Sequence, residues 1–370
     1  VPINEYTEVF GLITGELEVN GKLKAGIVGY GYMGKIRKTV IQDNPELELL
    51  GISDTNPAAL ADLNPVCKTF NDYRQLVDCG VDIVFVCTPN FYSPEVVIYS
   101  LNHGKHVFCE KPPGRTVDDI RRIMHAERTN RGVRLMFGFN HRYHPGIKEA
   151  KVLVDSGRFG KILSLRGIYG KSGGLSYKKS WRNNRELSGG GILLDQGIHM
   201  LDLFRFFCED FDEVKGFINT SFWDTEVEDN AYAILRNRVG QVAMLHSSAT
   251  LWKHTFRLEI LLENGYLIAS GLLSKTGSYG RETLTIGRRQ FEDEALALGN
   301  PREELVYFDR DASWNLEVEA FLDCIKNNKC VVNSSSQDAL KVMAIIDKIY
   351  RDDNISYHDS SRIEPPQEEG

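Results

Sequence analysis

The stretch Leu23–Gly34, LKAGIVGYGYMG, constrains the fold of this chain more than any other. Ala25–Val28 is a short apolar run suited to a buried strand. Gly29, Gly31 and Gly34 then follow in the order G-x-G-x-x-G, and the residues from Gly31 to about Asp43 read as a helix. Strand, glycine turn and helix in that order build a dinucleotide-binding corner. The first glycine permits the tight turn, the second lets a pyrophosphate reach the backbone, and the third lets helix and strand pack closely. Tyr32 and Met33 sit in the same turn, and the helix N-terminus offers free N–H groups to phosphate.

With 33 glycines in 370 residues the spacing alone arises easily by chance, so context decides. A second apolar run, Leu47–Ser53, ends in Asp54, at the distance from the glycines where an acidic side chain grips the adenosine ribose hydroxyls. A carboxylate there repels a ribose phosphate, and no Arg follows it in Thr55–Asn56, which favours NAD. Lys35, Arg37 and Lys38 lie close enough to leave NADP open.

Length and a 42% hydrophobic content allow about two domains with a sizeable core. The net charge of −7 speaks against a broad basic surface for nucleic acid. No run approaches the roughly 18 apolar residues of a membrane span. The first twenty residues carry Glu5, Glu8, Glu16 and Glu18 and no Lys or Arg, unlike a secretory leader. An N-terminal Val points to a start downstream of a removed residue or segment. Seven cysteines, an odd number without a C-x-x-C pair, fit reduced thiols in a cytoplasmic protein better than a disulfide framework or a structural zinc site.

Residues 1–22 form an extension with a small hairpin signal at GELEVNGKL. From Leu23 strand and helix patterns alternate, predicting a mainly parallel sheet with helices on both faces over residues 23–141. The clearest buried strand, Asp82–Cys87, ends in Thr88-Pro89-Asn90, at the sheet edge where ligands bind. The strand His106–Cys109 leads into Glu110-Lys111-Pro112, and Thr116 caps the helix Val117–Asn130. From about Asn140 the rhythm changes. A helix from about Ile192 to Cys208 is followed by a succession of strands between Glu213 and Ile286, with turns at Gly240 and Asn264-Gly265. These predict a second, antiparallel-sheet domain over 142–351, closed by helices near Asn315–Asn327 and Ser336–Arg351. Residues 352–370 form a polar tail.

Two constellations carry chemistry. Lys111, after a strand of the first domain, would stand beside a nicotinamide and the second domain. Partial burial lowers a lysine pKa from ~10.4 toward ~7–8, where it serves proton transfer. Glu110 would position it, or Lys111 is a solvated loop residue. In Asp195-Gln196-Gly197-Ile198-His199, positions four apart share a helix face, so Asp195 and His199 would point together into a cleft. His199 would bond a substrate hydroxyl, or be a satisfied core histidine. No third ligand for a metal is apparent, and Asp202 reads as structural. Lys178, Trp181 and Arg182 precede Gly189–Gly191. A Trp face can line a sugar ring and Arg can pair with phosphate or carboxylate, or all three pack on the surface; Tyr177 beside them is a further substrate candidate. Asn140 and Arg142 fall at the domain junction, as site contacts or interdomain braces.

Together Gly29–Gly34, Thr88-Pro89-Asn90, Gly104-Lys105-His106-Val107 running into Glu110-Lys111-Pro112, Asn140 with Arg142 and Pro145, and Gly189–Gly191 with Asp195, Gly197 and His199 resemble the glucose–fructose oxidoreductase/inositol dehydrogenase (Gfo/Idh/MocA) family. The motifs match from about Leu23 to Asp202 and the architecture to about Arg351. Glu-Lys-Pro combined with Asp-x-Gly-x-His is specific to that family. The resemblance implies an α/β fold, a Rossmann domain followed by an α+β domain with an open-faced, mostly antiparallel sheet. It implies NAD or NADP, a sugar, polyol or sugar-nucleotide substrate, and a homodimer or homotetramer through the exposed sheet face. Carried over, Lys111 assists proton transfer while Asp195 and His199 hold and polarise the reacting hydroxyl, with either His199 or Lys111 the principal base. The residues expected at the cofactor are Gly29, Gly31, Tyr32, Met33, Gly34, Asp54, Thr88, Pro89, Asn90, Glu110 and Lys111. Those expected at the substrate are Lys111, Asn140, Arg142, Tyr177, Trp181, Arg182, Asp195 and His199. The extension and the bulky Tyr30 and Tyr32 depart from the pattern. A redox-recycling glycoside hydrolase, in which bound NAD is regenerated within a turnover, and a non-catalytic cofactor-binding regulator are the rival readings.

Overall fold

The computed structural model describes residues 21–352 apart from 62, 64–66, 175–176 and 293–295. The extension up to residue 20, with most of its expected hairpin, and the polar tail from residue 353 lie outside the described residues, while Asp352 ends a helix. Strands β1 (Leu23–Val28), β2 (Leu47–Ser53), β3 (Lys68–Phe70), β4 (Ile83–Val86), β5 (His106–Cys109) and β6 (Leu135–Phe137) form one sheet, ordered β3-β2-β1-β4-β5-β6, with every pair parallel. Helices cover both faces, so β4 is buried along its whole length and its sequence is unbroken Ile-Val-Phe-Val. The strand order reverses between β1 and β4. That leaves a crevice beyond their carboxyl ends, where Gly29 and Thr88 emerge.

The glycine turn is explained atom by atom. Gly29 has φ +92°, and a Cβ there would lie 2.7 Å from the Cys87 carbonyl oxygen. A Cβ on Gly34 would lie 2.2 Å from the Gly29 carbonyl oxygen, so only glycine lets helix α1 (Tyr32–Asp43) lie this close to the turn. Gly31 instead faces open space, with nothing within 4 Å of its Cβ position. No side chain caps α1, which leaves its first N–H groups for a ligand. Thr116 forms a full capping box with Asp119 ahead of the helix Val117–Thr129.

The second sheet contains β7 (Ile162–Gly170), β8 (Glu213–Asn219), β9 (Asn230–Arg236), β10 (Val242–Ser248), β11 (Thr255–Leu262), β12 (Gly265–Ser270), β13 (Glu282–Arg288) and β14 (Glu303–Phe308). Its order is β14-β13-β12-β11-β7-β10-β9-β8, antiparallel except for the parallel pair β7–β10. β14 was not expected: EELVYF lies mostly exposed at the sheet edge and so lacks the apolar alternation that marked the others. One face of the sheet packs on the helices Ile198–Cys208 and Ser336–Asp352, and residues alternate in and out along β9 and β11.

The structure departs from the linear reading at two helices. Ser313–Lys326, expected in the second domain, joins the core of the first: Val318, Phe321 and Leu322 pack with Ala25, Ile27 and Phe108. Its apolar stripe announces a buried face but not which domain receives it. The helix expected from Ile192 to Cys208 is split into a π-helical turn, Leu193–Gly197, and an α-helix, Ile198–Cys208.

Candidate active site

A cavity of about 760 Å³ follows the crevice. Of the residues expected at the cofactor, Gly29, Gly31, Tyr32, Met33, Asp54, Thr88, Pro89, Asn90, Glu110 and Lys111 line it, and Gly34 lies buried behind the turn. Asp54 is oriented by backbone N–H groups of other residues: one carboxylate oxygen accepts from the Tyr30 N–H at 2.6 Å and the other from the Asn56 N–H at 2.8 Å. Each oxygen keeps a lone pair for a ribose hydroxyl. Tyr73 and Arg74, which the sequence did not flag, line the same end, where Arg74 pairs with Glu95 at 2.6 Å. Open space at Gly31, the uncapped helix and the fixed Asp54 fit a dinucleotide.

Two expectations near this end are corrected. Arg37 does not serve a ribose phosphate: it is fully buried, with Nε 2.7 Å from Glu110 Oε1 and Nη2 2.5 Å from Glu317 Oε1. Glu110 therefore does not position Lys111; its carboxylate turns away to Arg37. A helix wheel puts Arg37 on α1, but only the returning helix Ser313–Lys326 supplies the second carboxylate that makes its burial tolerable.

At the other end Lys111 donates to the Asp195 backbone carbonyl at 2.7 Å and stands 3.7 Å from its Oδ1. Lys171 Nζ lies 2.9 Å from Asp195 Oδ2, and Arg182 Nε 3.2 Å from Oδ1. The Asp195 carboxyl is held far below the usual carboxylate range: burial opposes ionisation, but the charges of Lys171, Lys111 and Arg182 outweigh it. Lys111 is lowered from the ordinary lysine value by burial first; Arg182 and Lys171 lower it further and Asp195 works against them.

Asp195 and His199 do not share one face toward the cavity. Asp195 sits in the π turn, which widens the helix and re-aims its side chains. Asp195 lines the cavity, and His199, 4% exposed, lies behind it with its ring stacked on His141 at 3.7 Å between centroids. His199 Nδ1 has no hydrogen-bond partner among the described residues. Burial first, then the charge of Lys111, holds His199 well below its ordinary value, so it is neutral. The His141 pKa is likewise depressed, by burial first and His199 next.

Trp181 and Arg182 line the cavity as expected, and Gly190 joins them. Gly191 serves packing: a Cβ there would lie 2.0 Å from the Glu228 carbonyl oxygen, and the Glu228 carboxylate binds the N–H groups of Gly191 and Leu193. Tyr177 rests on Trp223 at 4.9 Å, with Lys171 Nζ 5.4 Å from its ring, beside rather than in the cavity lining. Arg142 is a buried brace at the domain junction, with Nη2 2.6 Å from Asp202 and Nη1 3.3 Å from Asp338, both in the second domain. Asn140, also buried, donates to Ser313 at 3.2 Å and meets His141 at 3.1 Å. Asp202 is structural, as read. Sequence reasoning missed Lys171, His141 and Tyr279, whose hydroxyl accepts from Gln196 at 2.7 Å. One signal was present: Lys171 is the first residue past the carboxyl end of β7.

Among the described residues no group of three or more His, Cys, Asp and Glu side chains is arranged to hold a metal ion. Nor is any helix among them long and apolar enough to cross a membrane. The site thus joins a dinucleotide cradle to a lysine of lowered pKa held by an ionised aspartate, groups suited to proton transfer at a hydroxyl beside a bound redox cofactor.

Comparison with known proteins agrees. Residues 23–139 match the family described as an oxidoreductase family with an NAD-binding Rossmann fold, and residues 147–268 match the GFO/IDH/MocA C-terminal domain. The levoglucosan dehydrogenase of Pseudarthrobacter phenanthrenivorans is 28% identical over 54% of this chain and 54% of its own, so the match spans about half of that enzyme. The glucose-6-phosphate 3-dehydrogenase of Bacillus subtilis is 31% identical over 58% of this chain and 65% of its own. The inositol 2-dehydrogenase of Salmonella typhimurium is 27% identical over 73% and 82%. In fold, the chain is similar to levoglucosan dehydrogenase in complex with NADH, with TM-score 0.79, 22% identity, and 90% of this chain and 97% of that one covered. It is also similar to the WlbA dehydrogenase of Bordetella pertussis in complex with NADH and UDP-GlcNAcA, with TM-score 0.76, 22% identity, and 90% and 96% covered. The Rossmann domain, the second sheet and the matches to both parts agree: this chain belongs to the Gfo/Idh/MocA family of NAD-binding oxidoreductases.

Proposed function

We propose that this chain is an NAD-dependent dehydrogenase that oxidises a carbinol carbon of a sugar or sugar derivative. The observation that carries the reading is Lys111: it lies in the same cavity as the glycine turn and Asp54, with its Nζ fixed on the Asp195 carbonyl. Bound NAD supplies the hydride acceptor. Lys111, whose pKa burial and two neighbouring cations lower, takes the hydroxyl proton in its neutral form as the hydride leaves. Asp195 holds the substrate hydroxyls through the lone pairs its cations leave over. His199, buried and neutral, backs this end of the site as a positioning residue, which makes Lys111 the principal base. The exposed face of the second sheet supports self-association: Phe217, Tyr232, Ile234 and Met244 are all exposed there, and cross-strand pairing sets Phe217 beside Tyr232 and Ile234 beside Met244. The seven unpaired cysteines support a reducing, cytoplasmic compartment.

The test is the absorbance of reduced nicotinamide with excess NAD and pooled sugars, polyols, sugar acids, sugar phosphates and nucleotide sugars. Steady growth, cut by roughly 10²–10⁴-fold in Lys111→Ala, is expected. Product formed with no net NADH would overturn net oxidation in favour of internal recycling.

A further inference from the structure

Four charged side chains meet around Asp195: Lys111, Arg182 and Asp195 line the cavity, and Lys171 stands beside the lining, against Asp195 Oδ2. Lys111, Lys171 and Arg182, with side chains 17%, 20% and 38% exposed, all direct N–H groups at Asp195, itself 17% exposed. The neighbouring carboxylate of Glu110 is engaged by Arg37, and that of Glu228 by the N–H groups of Gly191 and Leu193 and by the Tyr350 hydroxyl. Among these four side chains Asp195 balances one charge of three, so within the cluster one cation remains in excess even when Lys111 is neutral. Excess charge in a half-buried cavity is costly unless a counter-charge arrives.

The cofactor does not supply that counter-charge here. Its pyrophosphate belongs at the glycine turn after β1 and its adenosine ribose at Asp54 after β2. Lys111 follows β5, two strand spacings from β1 and its glycine turn, or about 10 Å at ~4.8 Å each. Arg182 is also built for a second acceptor. It meets Asp195 through Nε alone, which leaves the Nη pair of its fork, and its guanidinium is stacked over Trp181 at 4.7 Å.

We propose that the substrate itself is anionic, carrying a carboxylate or phosphate that Lys171 and Arg182 bind, so that the enzyme acts on a sugar acid or sugar phosphate and not on a neutral polyol. This rests on the dehydrogenase reading of the same cavity. Lys171 and Arg182 then determine specificity, and Lys111 and Asp195 address the hydroxyl to be oxidised.

The experiment uses the full chain saturated with NADH, whose binding is read by nicotinamide fluorescence. Inorganic phosphate, D-glucuronate and, as a neutral control, D-glucose are then titrated calorimetrically, with chloride holding ionic strength constant. Saturable binding of an anion, roughly millimolar or tighter, is expected. Lys171→Met and Arg182→Gln should each weaken it roughly tenfold or more, and Lys171→Arg should restore it. Preference for phosphate identifies a sugar phosphate, and preference for glucuronate a sugar acid. The proposal is overturned if neither anion binds above the chloride control, if glucose binds as well as they do, or if the variants match the parent. NADH binding without anion binding removes only this proposal. Failure to bind NADH removes the dehydrogenase reading and this proposal with it.

Discussion

Lys111 owes its chemistry to its neighbours, and the neighbours make the pH dependence predictable. A lysine base works when neutral, so kcat/KM should rise with pH through a Lys111 pKa below the ordinary value of 10.5. Asp195 is the larger of the two charges, with Glu110, that raise that pKa. Removing it in Asp195→Asn should move the rising limb to lower pH by roughly one pH unit or more, beside a fall in kcat. A shift in the opposite direction, measured in pH–rate profiles, would show that Lys111 is not the titrating base. The glycine turn gives a second contrast. A Cβ at Gly31 meets open space on the ligand side, whereas one at Gly34 collides with backbone. Gly31→Ala should unfold like the parent yet bind NADH more weakly, while Gly34→Ala should lose stability as well; denaturant titration beside NADH fluorescence separates them. The glycine motif, Asp54 and Lys111 were legible because each depends on local backbone. The withdrawal of His199 behind Asp195 was not, because one π turn changes which side chains share a face.

At the scale of elements, the buried contact of α1, the Glu110 turn and the helix Ser313–Lys326 closes on Arg37. Arg37→Met would strand the buried carboxyl groups of Glu110 and Glu317, and a loss on the order of 3–5 kcal/mol in urea denaturation is expected. The pH dependence follows from Glu317. Burial pushes its carboxyl up and Glu110 adds to this, while Arg37 opposes. The native state then prefers protonated Glu317. That contribution is complete below the ordinary glutamate value of 4.5 and is lost as pH rises through the raised native value. Glu317→Gln should flatten this fall in stability with pH; an unchanged slope would show that Glu317 is ionised throughout. Nothing near Arg37 in sequence announced Glu317, because the helix that carries it returns from 280 residues away.

For the whole molecule, the open sheet face sets the expectation. A side of the second sheet that leaves Phe217 73% and Ile234 56% exposed is the surface on which a second copy would sit. The double variant Phe217→Asp/Ile234→Asp should run as a smaller species than the parent in light scattering, with NADH binding kept. A parent already monomeric at micromolar concentration would remove the interface.

The sequence by itself determined the alternation that makes the first sheet parallel, the cradle at Gly29–Gly34, the acidic residue at Asp54, and the alternating strands of the second sheet. These rest on φ, ψ and side-chain period, which act over a few residues. Tertiary structure alone decided that Arg37 faces two glutamates instead of a ribose, that Ser313–Lys326 belongs with the first core, and that His199 stacks on His141. It also decided that Lys111, Lys171 and Arg182 converge on Asp195. Charges placed far apart along a chain acquire their pKa values and partners only when packing brings them within a few ångströms in a partly dry cavity, and no local rule specifies that meeting.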